Sequence, residues 1–254
     1  MSENPKKFVW YDLMTGDINA AASFYGKVVG WETMDSGIVE RPYHIFKAGE
    51  TMVGGLMPTP PDLPGAPPTW MGYIGVDDVD AYVAKVTEAG GSVKRPPEDI
   101  PNGIGRFSVV ADPHGASFYL FKSNGPEPSE SAGEPGRIGW HELQAGDGEA
   151  AWSFYSGLFG WTKTDDMDMG PMGVYRIFAT GGNPVGGMMT KMPQTPVPFW
   201  LYYFNVEAID AAIERVKEGG GQLVNGPMEV PGGLWIMQGI DPQGAMFALV
   251  APKR

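Results

Sequence analysis

The chain contains no cysteine, so disulfides, thiolate metal sites and cysteine nucleophiles are excluded. Basic residues are scarce. Only 18 Lys and Arg stand against 30 Asp and Glu, for a formal net charge of −12. A field of this sign repels nucleic acid and anionic membranes, and no nucleic-acid partner is expected. The acidity is spread evenly over both halves, so it forms no acidic tail and serves solubility. No stretch approaches the run of about 20 apolar residues that a membrane-spanning helix needs. The opening segment MSENPKKFVWYDL lacks the apolar core and small-residue cleavage site of a secretory signal, and a cytoplasmic protein is expected. Phosphate-binding loops, the dinucleotide fingerprint and the G-x-S-x-G nucleophile elbow are also missing.

What is present is a repeat. At 254 residues, 43% hydrophobic and 19% charged, the chain can build one large domain or two ordinary ones. Residues 17–31, DINAAASFYGKVVGW, match residues 147–161, DGEAAWSFYSGLFGW. The match continues in order: Tyr43–Phe46 answers Tyr175–Phe178, Val53–Met57 answers Val185–Met189, and Trp70 answers Trp200. Gly90–Gly91 answers Gly220–Gly221, and Asp112–Gly115 answers Asp241–Gly244. The order is kept throughout and the offset drifts by only one or two residues, and a repeat of this kind sets the architecture. Between the copies, residues 123–136 are rich in Pro, Ser, Gly and Glu and read as an exposed linker. Two domains follow, 1–122 and 137–254.

Each half divides again. Asp17 can cap a helix whose Ala21, Phe24, Tyr25 and Val28 form one apolar face, with Gly30 as its stop. Phe8–Met14 reads as a strand before it, and Ile38–Lys47 and Met52–Met57 as strands after it. The pattern restarts with a strand at Trp70–Val76. A helix follows, capped by Asp77 or Asp78 and ending at Gly90–Gly91, then strands at Ser92–Arg95, Gly105–Ala111 and Ser117–Phe121. The fold class is α+β, with helices covering one sheet face.

The phrases "D…AA..FY…..GW" at Asp17–Trp31 and Asp147–Trp161, and "DP.G..F.L" at Asp112–Leu120 and Asp241–Leu249, resemble the glyoxalase/bleomycin-resistance/dioxygenase superfamily, the vicinal oxygen chelate proteins. The resemblance implies four βαβββ modules paired into two cup domains. It also implies where metal-dependent members hold their ligands, namely on the first strand of each module and on late strands. In this chain those positions are Trp10, Trp140, Met71, Leu201, Tyr119 and Ala248, and none can bind a divalent cation. No metal or other cofactor is expected. A slip of one residue would bring in His141, but the slip turns it to the opposite face. His44, His114 and His141 read as structural or exposed residues. Asp165, Asp166 and Asp168 lack the glycine and terminal glutamate of a calcium loop and read as a solvated loop.

Period-2 alternation places Trp10, Asp12 and Met14 on one face of the first strand, with Met71, Tyr73, Gly75 and Tyr119 facing the same cup. The second half offers Trp140, Glu142, Gln144, Leu201, Tyr203 and Asn205. Aromatic rings with one carboxylate apiece suit a flat or apolar small molecule whose polar or cationic group meets Asp12 or Glu142. The first expectation is therefore metal-independent small-molecule binding, similar to bleomycin sequestration. The alternatives are a lyase, isomerase or dioxygenase-like enzyme, using Asp12 or Glu142 for acid–base work or a metal near His141, and a partner-binding module presenting its Pro-rich loops. Duplication already supplies a module pair within each half, so a monomer or weak dimer is expected.

Overall fold

The computed structural model describes residues 6–38, 42–61, 65–125 and 133–254. Half of the linker, residues 126–132, lies outside the described residues, as do residues 39–41 of the strand expected at Ile38–Lys47. The first half runs β1 (Phe8–Thr15), α1 (Ile18–Val29), β2 (Glu32–Asp35), β3 (His44–Ala48), β4 (Thr51–Pro58), β5 (Thr69–Gly75), α2 (Val79–Glu88), β6 (Ser92–Ile100), β7 (Gly105–Ala111) and β8 (Ser117–Ser123). The second repeats it as β9 (Ile138–Ala145), α3 (Gly148–Phe159), β10 (Thr162–Asp168), β11 (Val174–Ala179), β12 (Pro184–Thr190), β13 (Phe199–Asn205), α4 (Ile209–Glu218), β14 (Gln222–Val230), β15 (Leu234–Ile240) and β16 (Met246–Ala251). This is βαβββ four times over.

Strands β1–β8 form one curled eight-stranded sheet and β9–β16 a second. Within each module the last strand lies parallel beside the first, as β4 beside β1 and β16 beside β13. The intervening strands pair antiparallel. Among the described residues no helix is long and apolar enough to cross a membrane.

The helix signals act as their chemistry requires. The Asp17 side chain accepts from the Ala20 amide at 3.0 Å, and Asp147 from that of Ala150 at 2.8 Å. Gly30 and Gly160 end their helices at φ 89° and 68°, a left-handed conformation that favours glycine. Of the two aspartates before α2, Asp78 is the cap; Asp77 pairs instead with Lys6. Asp165, Asp166 and Asp168 are not in a loop. They lie on β10, where Asp166 pairs with Arg176 across the strands at 2.8 Å and with Lys163 at 2.9 Å. Cross-strand ion pairing lets a polar run sit on an exposed strand.

The chain divides into two compact units that do not follow the repeat boundary. One comprises Met1–Val9, Gly72–Ser129 and Trp140–Trp200; the other comprises Trp10–Met71, Glu130–Gly139 and Leu201–Arg254. In the second of these, Tyr25 of α1 sits among Trp31, Phe46, Trp70, Phe204 and Phe247. Its hydroxyl accepts from the Trp70 indole at 2.9 Å and donates to Asp241 Oδ2 at 3.1 Å. Burial, reinforced by the Asp241 charge, pushes the Tyr25 phenol well above its ordinary range, so it stays a donor. Asp241 Oδ1 meanwhile accepts the Gln243 and Ala245 amides, fixing the turn into β16. The other unit repeats the arrangement with Trp200, Tyr155 and Asp112 at 3.2 and 3.4 Å. The two phrases that carry the family resemblance are therefore the two sides of one buried clamp.

Candidate functional site

The strongest cluster on β1 is built by alternation and register together. Asp12 stands opposite Gly55 of β4. Any side chain at Gly55 would overlap both the Tyr43 hydroxyl and the Asp12 carboxylate, so the glycine is what lets Tyr43 lie over the sheet. The Trp10 indole N–H lies 2.8 Å from the Tyr43 hydroxyl and 3.0 Å from Asp12 Oδ1. Tyr43 in turn donates to Asp12 Oδ1 at 2.8 Å. Asp12 is buried, whereas Trp10 and Tyr43 are half-buried above it.

The second half repeats the device at the same positions. Trp140 donates to the Tyr175 hydroxyl at 2.8 Å, and Tyr175 donates to Glu142 Oε2 at 3.2 Å. Gln144 Nε2 adds a donor to Glu142 Oε1 at 2.8 Å. A side chain at Gly187 would run into the Tyr175 ring. Burial and the neighbouring Glu142 charge hold the Tyr175 phenol well above its ordinary range, so it remains a donor. Buried carboxylates demand such partners.

Other expected residues fall into place differently. Tyr73 and Tyr119 share a face and stack on each other at 4.0 Å and 2°, so each ring occupies the other. Met14, Met71 and Leu201 are buried apolar side chains. Tyr203 receives a hydrogen bond from Gln238 at 2.8 Å, and Asn205 lies two residues further along β13. His141 points away from Glu142. Its ring stacks on Phe8 at 4.5 Å and its Nδ1 donates to the Val185 carbonyl at 2.7 Å. Burial lowers its pKa to about 4, leaving a neutral structural imidazole.

Tyr43 and Tyr175 are not among the candidates from sequence. Their signal is the repeat itself, which sets a tyrosine at matching positions and follows each with a Gly–Gly pair. The donor chemistry does not fit a divalent metal. Indole nitrogens occupy the first-strand positions, with their N–H groups donated to oxygen. Among the described residues no group of three His, Asp or Glu could hold an ion.

Four βαβββ modules on two eight-stranded sheets define the fold class. The chain belongs to the Glyoxalase/Bleomycin resistance protein/Dioxygenase superfamily, whose model matches residues 7–120 and 137–249. It is 35% identical over 249 residues to a Mycobacterium tuberculosis protein named "Putative glyoxylase CFP32", covering 96% of this chain and 94% of the relative. It is 33% identical over 256 residues to "Anthracycline biosynthesis protein DnrV" of Streptomyces peucetius, covering 95% and 91%. The Mn(II)-bound glyoxalase from Novosphingobium aromaticivorans shares the fold, with a TM-score of 0.69 at 16% identity, covering 98% of this chain and 83% of that one.

Proposed function

We propose that each half, 1–122 and 137–254, binds a flat, largely apolar small molecule without a metal. The observation that carries this reading is the twofold indole–phenol–carboxylate triad, Trp10–Tyr43–Asp12 and Trp140–Tyr175–Glu142. The half-buried indole supplies an aromatic face, and the carboxylate behind it receives a polar or cationic group on the ligand. Relatives concerned with anthracycline biosynthesis support a fused-ring aromatic as the ligand class. A family fold alone assigns no chemistry, so the weight rests on these side chains.

The test is a fluorescence titration of the purified protein with neutral and cationic fused-ring aromatics, with and without chelator, beside elemental analysis. Saturable quenching of tryptophan emission that survives the chelator is expected. Asp12→Asn and Glu142→Gln should each weaken binding of an amine-bearing ligand about tenfold, the loss of one charge-assisted contact. A stoichiometric divalent metal whose removal abolishes binding would overturn the reading.

A further inference from the structure

The two halves diverge at one place where the fold does not require it. In the first half the sheet face around Tyr73 carries Tyr119, Phe107 and Phe121, rings packed within 4.0 to 5.8 Å of their neighbours. The matching face around Tyr203 carries Ala248, Ile236 and Val250, in the same strand register. Three rings are gone, including the one that stacks on the central tyrosine. Two amides stand at positions that are Val109 and Gly75 in the first half, namely Gln238 and Asn205.

Asn205 is the informative one. It is only 9% exposed, and its Nδ2 is a buried polar atom with no hydrogen-bond partner among the described residues. Leaving a buried donor unmatched costs stability. Packing does not demand this cost. A Cβ at Gly75 would meet Val9 Cγ1 at 2.9 Å, whereas a Cβ at Gly139 would meet Asn205 Cγ at 2.9 Å. Val9 and Gly139 are repeat partners, as are Gly75 and Asn205. The same volume is thus filled by valine in one half and by an unmatched amide in the other.

We propose that Asn205 determines ligand specificity on the Tyr203 face of β13 and β16, donating from Nδ2 to a carbonyl oxygen on a planar aromatic ligand whose ring takes the place that Tyr119 fills in the first half. The proposal rests on the aromatic-binding reading above. It commits the second half to a quinone- or ketone-bearing ring system and leaves the first half indifferent to carbonyls.

The test compares 2-aminoanthraquinone with 2-aminoanthracene, which lacks the ring carbonyls, by calorimetry on the full chain. The wild type should bind the quinone about tenfold more tightly at one of its two sites, the range of one net hydrogen bond. Asn205→Leu should abolish that preference, bringing the affinities for the two compounds together, and raise the melting temperature. The double variant Gly139→Val with Asn205→Gly recreates the pairing already present in the first half, and should lose the preference in the same way. Retention of the preference in either folded variant overturns the proposal while aromatic binding stands. Equal wild-type affinity for the two compounds does the same. Failure of the wild type to bind either compound overturns both readings.

Discussion

Removing the Tyr25 hydroxyl tests the reasoning that the two family phrases form a structural clamp. In Tyr25→Phe the ring stays among its aromatic neighbours, so little packing is lost. What changes is polar. The Trp70 indole N–H and Asp241 Oδ2, both in residues at most 4% exposed, lose their partner at 2.9 and 3.1 Å. Each buried group left unmatched costs about 1–3 kcal/mol, so the variant should lose about 4 kcal/mol. At roughly 2–4 °C per kcal/mol for a chain of this size, the melting temperature should fall by about 8–16 °C. Tyr155→Phe breaks the corresponding bonds at 3.2 and 3.4 Å. Bonds of that length are weak, so its loss should be about half as large. Scanning calorimetry of both variants beside wild type decides the matter. Equal shifts, or a smaller shift for Tyr25→Phe, would refute the argument from geometry.

The His141 imidazole makes stability depend on pH with a definite sign. Its folded pKa of about 4 lies below the ordinary 6.5, so between those values the unfolded chain binds the extra proton. Stability is therefore fully present above about pH 6.5 and falls as pH drops towards 4, by about 3 kcal/mol in total. His141→Phe should flatten that part of a denaturation profile, and an unchanged slope would exclude the residue as its source. Gly187→Ala drives a methyl group into the Tyr175 ring and should cost about 1–3 kcal/mol by overpacking, with a changed Trp140 emission. Native-like stability and emission would contradict the pairing of Gly187 with Glu142 across β12 and β9. Treatment with a chelator should leave the melting temperature unaltered, and a drop reversed by added manganese would contradict the reading of the donor set.

Local chemistry is legible in the sequence wherever it acts within a few residues. The caps at Asp17 and Asp147, the glycine stops at Gly30 and Gly160, and the shared face of Trp10 and Asp12 all follow from helix and strand periods. Tyr43 is not legible. Its hydroxyl reaches Asp12 only because β4 lies parallel beside β1 with Gly55 opposite Asp12, a register that alternation within one strand does not define. The aspartates of β10 mislead for a related reason. Their partner Arg176 lies on the neighbouring strand, so the run resembles a loop until the pairing is known. The role of Asp112 and Asp241 is hidden in the same way, since each meets a tyrosine from the opposite repeat.

That last exchange bears on whether a half can stand alone. A chain cut to residues 1–122 keeps Tyr25 and Trp70 but loses Asp241, and keeps Asp112 but loses Tyr155. It also loses the Gly136 carbonyl that receives the Trp31 indole N–H at 2.7 Å. Several buried polar groups are thus orphaned at once, and at about 1–3 kcal/mol each their sum rivals the whole stability of a domain. The repeat offers a remedy, because Asp112 is the counterpart of Asp241 and Tyr25 the counterpart of Tyr155. Two copies of the fragment can therefore satisfy each other, Asp112 of one accepting from Tyr25 of the other. Sedimentation should show the fragment as a dimer whose folding is concentration-dependent. Asp112→Ala should leave it unfolded. A fragment that stays a folded monomer at micromolar concentration would show that the clamp is dispensable, and the two phrases would then owe their joint occurrence to something other than this contact.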